Sequence, residues 1–145
     1  MISIIVPIRN EKKFIGSCLD SIIKQSVNEP AEILISDGMS TDGTREIIKK
    51  YQKNNSSIHI LDNPEKIVST GFNRALSIAR GKVIIRVDGH AIVKSNYINQ
   101  CLKVLKKTNA DCVGGPILNS SDGIIGKSIN IAQKLKFGVG GVAFR

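Results

Sequence analysis

The chain of 145 residues is 41% hydrophobic and 23% charged, enough apolar material for one domain with a core and too short for two of ordinary size. Its 21 Lys and Arg against 12 Asp and Glu give a formal charge of +9, which favours an anionic partner such as nucleic acid, an anionic lipid or a phosphorylated ligand. Aromatics are only 4% of the chain, too few for the stacking platform of a single-strand binder; charge alone does not choose among these partners, and nucleic acid is not the expected one.

The first apolar, β-rich run is Ile2–Val6, and no basic segment precedes it. That argues against a secretory leader, and no apolar run approaches the roughly 18 residues of a membrane span. The expected location is the cytoplasm, with peripheral association at the inner face of the membrane as a further expectation. Phe14, Cys18, Leu19, Ile22 and Ile23 then fall on one helical face, with Asn10 placed to cap its start. A strand at Ile33–Ile35 is followed by a helix carrying Ile47, Ile48 and Tyr51, and by a strand at Ile58–Leu61. The next helix carries Val68, Phe72, Ala75, Leu76 and Ala79, with Gly81 in the position of a C′ residue. The β-branched run Val83–Val87 reads as a strand buried on both faces. A last helix carries Ile98, Leu102 and Leu105 before a short apolar pair, Cys112–Val113. After Gly114-Gly115-Pro116 the pattern weakens into "LNSSDG" and a stretch, "KSINIAQKLKFGVGGVAFR", that starts helical and ends in glycines. Residues 1–115 are expected to form one α/β domain and 116–145 the start of a further region.

Strand and helix alternate about four times, which predicts an α/β, Rossmann-like, mostly parallel sheet with helices on both faces. Cys18, Cys101 and Cys112 share no metal-type spacing and read as small core residues of a reduced compartment. In such a sheet, ligands bind beyond the carboxyl ends of the strands. Polar residues collect at those ends: Pro7-Ile8-Arg9-Asn10-Glu11, Ser36-Asp37-Gly38, Asp62-Asn63-Pro64 and Asp88-Gly89-His90. Turn chemistry accounts equally well for Asp62-Asn63-Pro64. It accounts less well for "SDGMSTDGT", which is longer than a tight turn and leads into a helix that Asp42 can cap. Asp37 could accept from the imide N–H of a uracil or from another base edge, an orienting role.

No GxGxxG follows the first strand, and no Walker A lysine motif is present. Phosphate must then be held without a glycine-rich cradle, and a divalent metal is the simplest substitute. Asp88 and His90, one residue apart at a strand tip, offer oxygen and nitrogen donors suited to Mn²⁺ or Mg²⁺. A loop histidine with no metal role remains an equal reading of His90 on spacing alone.

These stretches, in this order, resemble the nucleotide-binding half of a family-two glycosyltransferase with the A-type glycosyltransferase fold. "SIIVPIRNE" resembles that family's opening strand and loop, "ILISDGMSTDGT" its acidic base-binding loop, and "GFNRALSIARGKVIIRVDGHA" its helix and metal-binding strand. The family's metal motif is commonly Asp-x-Asp; "IRVDGHA" instead resembles the Asp-x-His variant of bacterial exopolysaccharide transferases of the succinoglycan-biosynthesis type, as does "FGVGGVAFR". The resemblance implies a nucleotide-activated donor, a UDP-sugar, with Asp37 on the base, Asp88 near the ribose and metal, and His90 at the metal or diphosphate. Pro7, Arg9, Asn10 and Glu11 would line the nucleotide pocket; Asn73 matches a family position without an assignable contact. The implied acceptor is a saccharide or lipid-linked saccharide, and the implied chemistry is inverting and metal-dependent.

In that family a carboxylate of the acceptor-binding half deprotonates the acceptor hydroxyl. The chain is expected to stop before it, so no catalytic base is assigned and a second chain could supply that half. Asp111 reads as leading into a strand and Asp122 as part of an "SSDG" turn. Three rival readings stand beside the transferase: an incomplete nucleotide-sugar-binding module, a sugar-phosphate nucleotidyltransferase, and a basic nucleic-acid-binding domain. Against the nucleotidyltransferase, no glycine- and lysine-rich triphosphate loop follows the first strand.

Overall fold

The computed structural model describes residues 1–116 apart from Ser26 and Asn28, together with Ile124, Ser128 and Ile131. Eight elements follow in chain order: β1 (Ile2–Ile8), α1 (Ile15–Ile23), β2 (Ala31–Asp37), α2 (Thr44–Asn54), β3 (Ile58–Asp62), α3 (Val68–Ile78), β4 (Val83–Arg86) and α4 (Tyr97–Thr108). The four strands form one parallel sheet in the order β3-β2-β1-β4, as the alternation of apolar runs and helices predicts.

The strand order follows from crossover handedness. β1, β2 and β3 step in one direction, and the chain then returns across β1 to lay down β4. Right-handed crossovers therefore put α1 and α2 on one face and α3 on the other. Ile5, Leu34 and Ala75 form the core beneath α3, with Leu61, Phe72, Ala79 and Ile84 packed against them. On the opposite face Ile22 of α1 lies around one small cavity with Ile4 and Ile33, and α1 and α2 touch each other. All seven residues of β1 are buried, because a central strand of a parallel sheet is covered on both faces.

β4 departs from expectation. It is half-buried, with Arg86 exposed, because among the described residues it lies at the sheet's edge rather than between strands. Its start is fixed from below. The carboxylate of Glu32 accepts from Ser3 Oγ at 2.6 Å, from the Arg80 backbone N–H at 2.7 Å, and from Arg80 Nε and Nη2 at 3.0 and 2.9 Å. The Gly81 N–H donates to Ser3 Oγ at 2.8 Å. Gly81 is not the helix C′ residue expected: α3 already ends at Ile78. A Cβ at Gly81 would meet the Ser3 backbone N at 2.4 Å, so its hydrogen side chain is what lets the connection press against β1.

Three further differences have local causes. Phe14 occupies the cap position of α1 without a side-chain cap bond, and Asn10, at φ 56°, spends its amide elsewhere. Cys112–Val113 forms no strand, and Asp111 therefore leads into none; two apolar residues that pair with no strand among the described residues have no ladder to join. Only Cys18 of the three cysteines is buried, while Cys112 is exposed. The glycine-rich end of the chain and Asp122 lie outside the described residues.

The chain divides into two units, Met1–Asn99 and Gln100–Arg145. The first contains the whole sheet and α1 to α3. The second contains most of α4, whose last turn carries Lys106 and Lys107. No helix among the described residues is long and apolar enough to cross a membrane.

Candidate functional site

The carboxyl ends of the four parallel strands share one edge of the sheet. The direction of strand addition reverses between β1 and β4, and that switch point is where crevices open in sheets of this kind. Pro7 helps to open it. Ile5 accepts from the Val87 N–H at 3.0 Å, and the β1–β4 register ends at Ile5↔Arg86. The next β1 residue facing β4 is Pro7, which has no N–H to continue the ladder. β4 is thus released and Asp88-Gly89-His90 turns away from it, with the Ala91 N–H donating to the Asp88 carbonyl at 2.8 Å.

Gly89 lets this turn sit against the tip of β1. It is buried, and a Cβ there would meet Ile8 Cγ2 at 2.5 Å and Glu11 Cγ at 3.2 Å. The result brings Glu11 to His90: Nδ1 of the imidazole lies 2.8 Å from Glu11 Oε1. A carboxylate only accepts, so Nδ1 carries the proton and Nε2 of the neutral ring keeps its lone pair. Asp88 accepts from Arg86 Nε and Nη2 at 3.1 and 3.0 Å, both on Oδ1. Its Oδ2 remains without a protein donor among the described residues. Side-chain exposures of 48% for Asp88 and 61% for His90 leave both donors open to a ligand.

Beneath them lies Cys18, whose Sγ donates to the Asp88 carbonyl at 3.6 Å. Burial, together with the nearby charges of Glu11 and Asp88, pushes this thiol up to about 12. It stays a protonated thiol, not a nucleophile.

The loops after β1 and β2 brace each other. Asn10 donates its backbone N–H to Ser40 Oγ at 2.9 Å and accepts the Thr41 N–H on Oδ1 at 2.9 Å. The Lys12 N–H donates to Asp42 Oδ2 at 3.1 Å, and Asp42 Oδ1 takes the Thr44 N–H at 3.0 Å and its hydroxyl at 2.5 Å. Asp42 is not the cap expected: Gly43 holds that position without a side-chain cap bond, and Asp42, one residue earlier, accepts from the first helical residue, Thr44. The Thr44 hydroxyl above all, and then the backbone donors, hold its carboxyl below the ordinary range. Arg9 is exposed beside this brace, and its Cβ lies 3.2 Å from where a Cβ of Gly38 would stand.

Asp37 is fully buried. Its Oδ1 accepts the Ser40 hydroxyl at 2.5 Å, and both oxygens share the Ser40 N–H at 3.2 and 3.3 Å. Arg45 Nη1 donates to Oδ2 at 3.1 Å, and Arg45 Nη2 bonds Asp62 Oδ1. Asp37 and Asp62 are register partners on neighbouring strands, so the guanidinium stands between two carboxylates and its own ionisation is pushed up, first by the bond to Asp62.

All of the residues expected from sequence except Asp37 and Pro7 are at least partly exposed at this edge: Arg9, Asn10, Glu11, Asp88 and His90. Asn73 is an exposed residue of α3. Ser40, Arg45 and Arg86 were not anticipated. Arg45 sits in "REIIKKYQKN", which reads as a solvated helix face; no spacing in the sequence signals its reach to β3. Arg86 ends β4 two residues before Asp88, and in the apolar run that reads as a strand over Val83–Val87 this i, i+2 spacing is the signal that could have found it.

A divalent ion fits the chemistry of the strand tip. Among the described residues no three His, Cys, Asp or Glu side chains converge as a cage. Two open donors, one oxygen and one nitrogen, suit an ion that keeps water and ligand phosphate in its shell.

Among curated proteins the chain is 31% identical over 144 residues to the succinoglycan biosynthesis protein ExoA of Rhizobium meliloti, covering 98% of this chain and 44% of that protein. It is 33% identical over 126 residues to the glycosyltransferase GlyG of Streptococcus pneumoniae, covering 85% of this chain and 42% of that protein. It thus spans less than half the length of these relatives. Among solved structures, S. aureus TarS 1-349 in complex with UDP superposes with a TM-score of 0.67 at 23% identity, over 84% of this chain and 38% of that one. The mannosyltransferase PcManGT of Pyrobaculum calidifontis, in complex with GDP-Man and Mn²⁺, gives 0.68 at 24% identity, over 81% of this chain and 35% of that one. Residues 3–137 match the family Glycosyl transferase family 2, to which this chain belongs.

Proposed function

We propose that this chain binds a nucleotide-activated sugar, a UDP-sugar, for transfer to a saccharide or lipid-linked saccharide in bacterial exopolysaccharide or surface polysaccharide synthesis. The observation that carries the reading is the open pair of donors, Asp88 Oδ2 and His90 Nε2, at the switch-point crevice of a family-two chain. Asp88 and His90 would hold Mn²⁺ or Mg²⁺ against the donor's diphosphate. Bound there, the ion supplies Lewis-acid stabilisation of the departing phosphate charge. Glu11 holds the His90 ring by Nδ1, so that its other nitrogen faces the ligand. Pro7 keeps the crevice open, while Arg9 and the Asn10 brace line it on the β1 side. The loop from Asp37 to Asp42 receives the base. The relatives with UDP and with GDP-Man and Mn²⁺ on the same fold support this assignment of ligand class.

Residues 1–115 form the donor-binding part in this reading, and 116–145 begin an acceptor-side region. Inversion at the anomeric carbon calls for a general base, which we assign to a region beyond these 145 residues or to a second chain. Station at the inner face of the membrane would follow from a lipid-linked acceptor. The test is transfer of radiolabelled sugar from a UDP-sugar panel to polysaccharide-lipid acceptors, by this chain alone and with the acceptor half of a relative added. Transfer in either format that is lost on chelation supports the proposal. Consumption of a nucleoside triphosphate with diphosphate release, and no transfer, would replace it with the nucleotidyltransferase reading.

A further inference from the structure

The turn that carries Asp88 and His90 belongs to a stretch without regular structure, residues 87–96, between the end of β4 and the start of α4. Its own backbone supplies a bond from the Ala91 N–H to the Asp88 carbonyl at 2.8 Å and one from the Tyr97 N–H to the Lys94 carbonyl at 3.1 Å. Apolar burial holds little of it. Ile92 is 72% exposed, and Lys94, Ser95 and Asn96 are exposed as well. A stretch with so few buried apolar contacts opens locally unless something outside it fixes its backbone.

One edge of α1 does so. Cys18, Ser21 and Gln25 follow at intervals of three and four, the spacing that aligns side chains along a helix, and they meet the stretch in chain order. Cys18 Sγ donates to the Asp88 carbonyl at 3.6 Å. Ser21 Oγ accepts the Val93 N–H at 3.0 Å while donating to the Cys18 carbonyl at 2.7 Å. Gln25, buried just past the end of α1, donates from Nε2 to the Lys94 carbonyl at 2.8 Å and to the Ser21 carbonyl at 3.1 Å. Its Oε1 accepts the Ile98 N–H at 3.3 Å, one of the first-turn donors that a helix cannot satisfy within itself. Both donors and the acceptor of the amide are engaged, which fixes its orientation. A thiol is a weak donor, so Ser21 and Gln25 are the firm anchors.

We infer that Ser21 and Gln25 are positioning residues of the ion site: by fixing the backbone of residues 93–98 to α1, they set where the turn carrying Asp88 and His90 stands. Glu11 and Arg86 orient the two side chains, and α1 holds the main chain that bears them. His90 lies two residues after the anchored Asp88 carbonyl and three before the anchored Val93 N–H, so slack at either anchor moves its ring. The inference rests on the donor-site reading above and adds two residues that touch neither ion nor nucleotide.

The test pairs Ser21→Val with Ser21→Thr, which has the same shape but keeps the hydroxyl, and adds Gln25→Glu, which replaces both amide donors with an acceptor. A cleft of about 360 Å³ beside Ser21, Gln25 and Val93 gives the added methyl groups room. Mn²⁺ affinity in the presence of UDP is read by electron paramagnetic resonance, amide exchange of residues 93–98 by mass spectrometry, and folding by circular dichroism. Ser21→Val and Gln25→Glu are expected to speed exchange and to weaken Mn²⁺ binding by roughly 10-fold, the lower end of what outer-shell partners of metal ligands contribute. Ser21→Thr should keep the wild-type values. A merely structural role would lower the urea midpoint and leave the Mn²⁺ affinity of the folded protein unchanged. Affinity within about twofold of wild type in both variants, the scale of an ordinary surface substitution, overturns the inference, as does an equal loss in Ser21→Thr and Ser21→Val. If one variant fails to fold, the other decides. Wild type that binds no Mn²⁺ in the presence of UDP instead overturns the donor-site reading beneath it.

Discussion

Replacing Glu32 by Ala removes the buried carboxylate that ties β4's approach to the sheet, four sequence-distant hydrogen bonds at once. Two of its donors, the Ser3 hydroxyl and the Arg80 backbone N–H, lose their acceptor, and Ser3 is fully buried. At about 1–3 kcal/mol for each buried donor left unpaired, partly relieved by water at Arg80, the loss is roughly 2–4 kcal/mol. The guanidinium adds little: the Arg80 side chain is 68% exposed, and such a pair lies on the scale of about 0–1 kcal/mol. Urea unfolding followed by circular dichroism should show a lower midpoint with an unchanged slope. The acid dependence is a second readout. Burial alone would raise the Glu32 carboxyl; it is outweighed by the bonds from Ser3 and Arg80, so the folded value is lowered. A lowered carboxyl stabilises the fold fully above its unfolded value of about 4.3 and loses that contribution as pH falls through the folded value. The stability gap between wild type and Glu32→Gln should therefore close in acid, below about pH 4. A midpoint in Glu32→Ala within about 0.5 kcal/mol of wild type, the range of an ordinary surface substitution, would refute the reasoning.

Two further outcomes follow from the strand tip. Glu11→Gln, which can present its N–H₂ to His90 Nδ1 and so favour the other tautomer, should weaken Mn²⁺ binding in the presence of UDP by roughly 10- to 100-fold, read by electron paramagnetic resonance; unchanged Mn²⁺ affinity would remove Glu11 from the site. Thiol labelling at pH 8 should modify Cys112 readily and Cys18 only after unfolding, because Cys18 is buried and raised to about 12 while Cys112 is exposed; native-state labelling of Cys18 would contradict the packing beneath Asp88.

The fold was legible because strands of a parallel sheet are continuous apolar runs, and each of the four was visible as one. Their ends were not. Pro7-Ile8 and Ser36-Asp37 look like loop but remain in register with each other, since pairing is decided by the neighbour and not by local propensity. Cys112–Val113 shows the converse. The acids and the histidine at the strand tips were legible because a parallel sheet gathers its carboxyl ends. What those residues bond to was not. Asn10 looked like a helix cap and instead braces Thr41, Glu11 meets a histidine 79 positions away, and Arg45 joins two strands from a helix that reads as solvated. Each contact depends on loops brought together by the sheet, a distance in space that no spacing in the chain encodes.

The most direct test of the central claim is calorimetric titration of the chain with UDP, with Mn²⁺ present and then chelated, beside Asp88→Ala and His90→Ala. The account predicts binding that requires the ion and is lost in both variants. UDP binding that is indifferent to chelation and to both substitutions, or no binding by a chain shown to be folded, would contradict it.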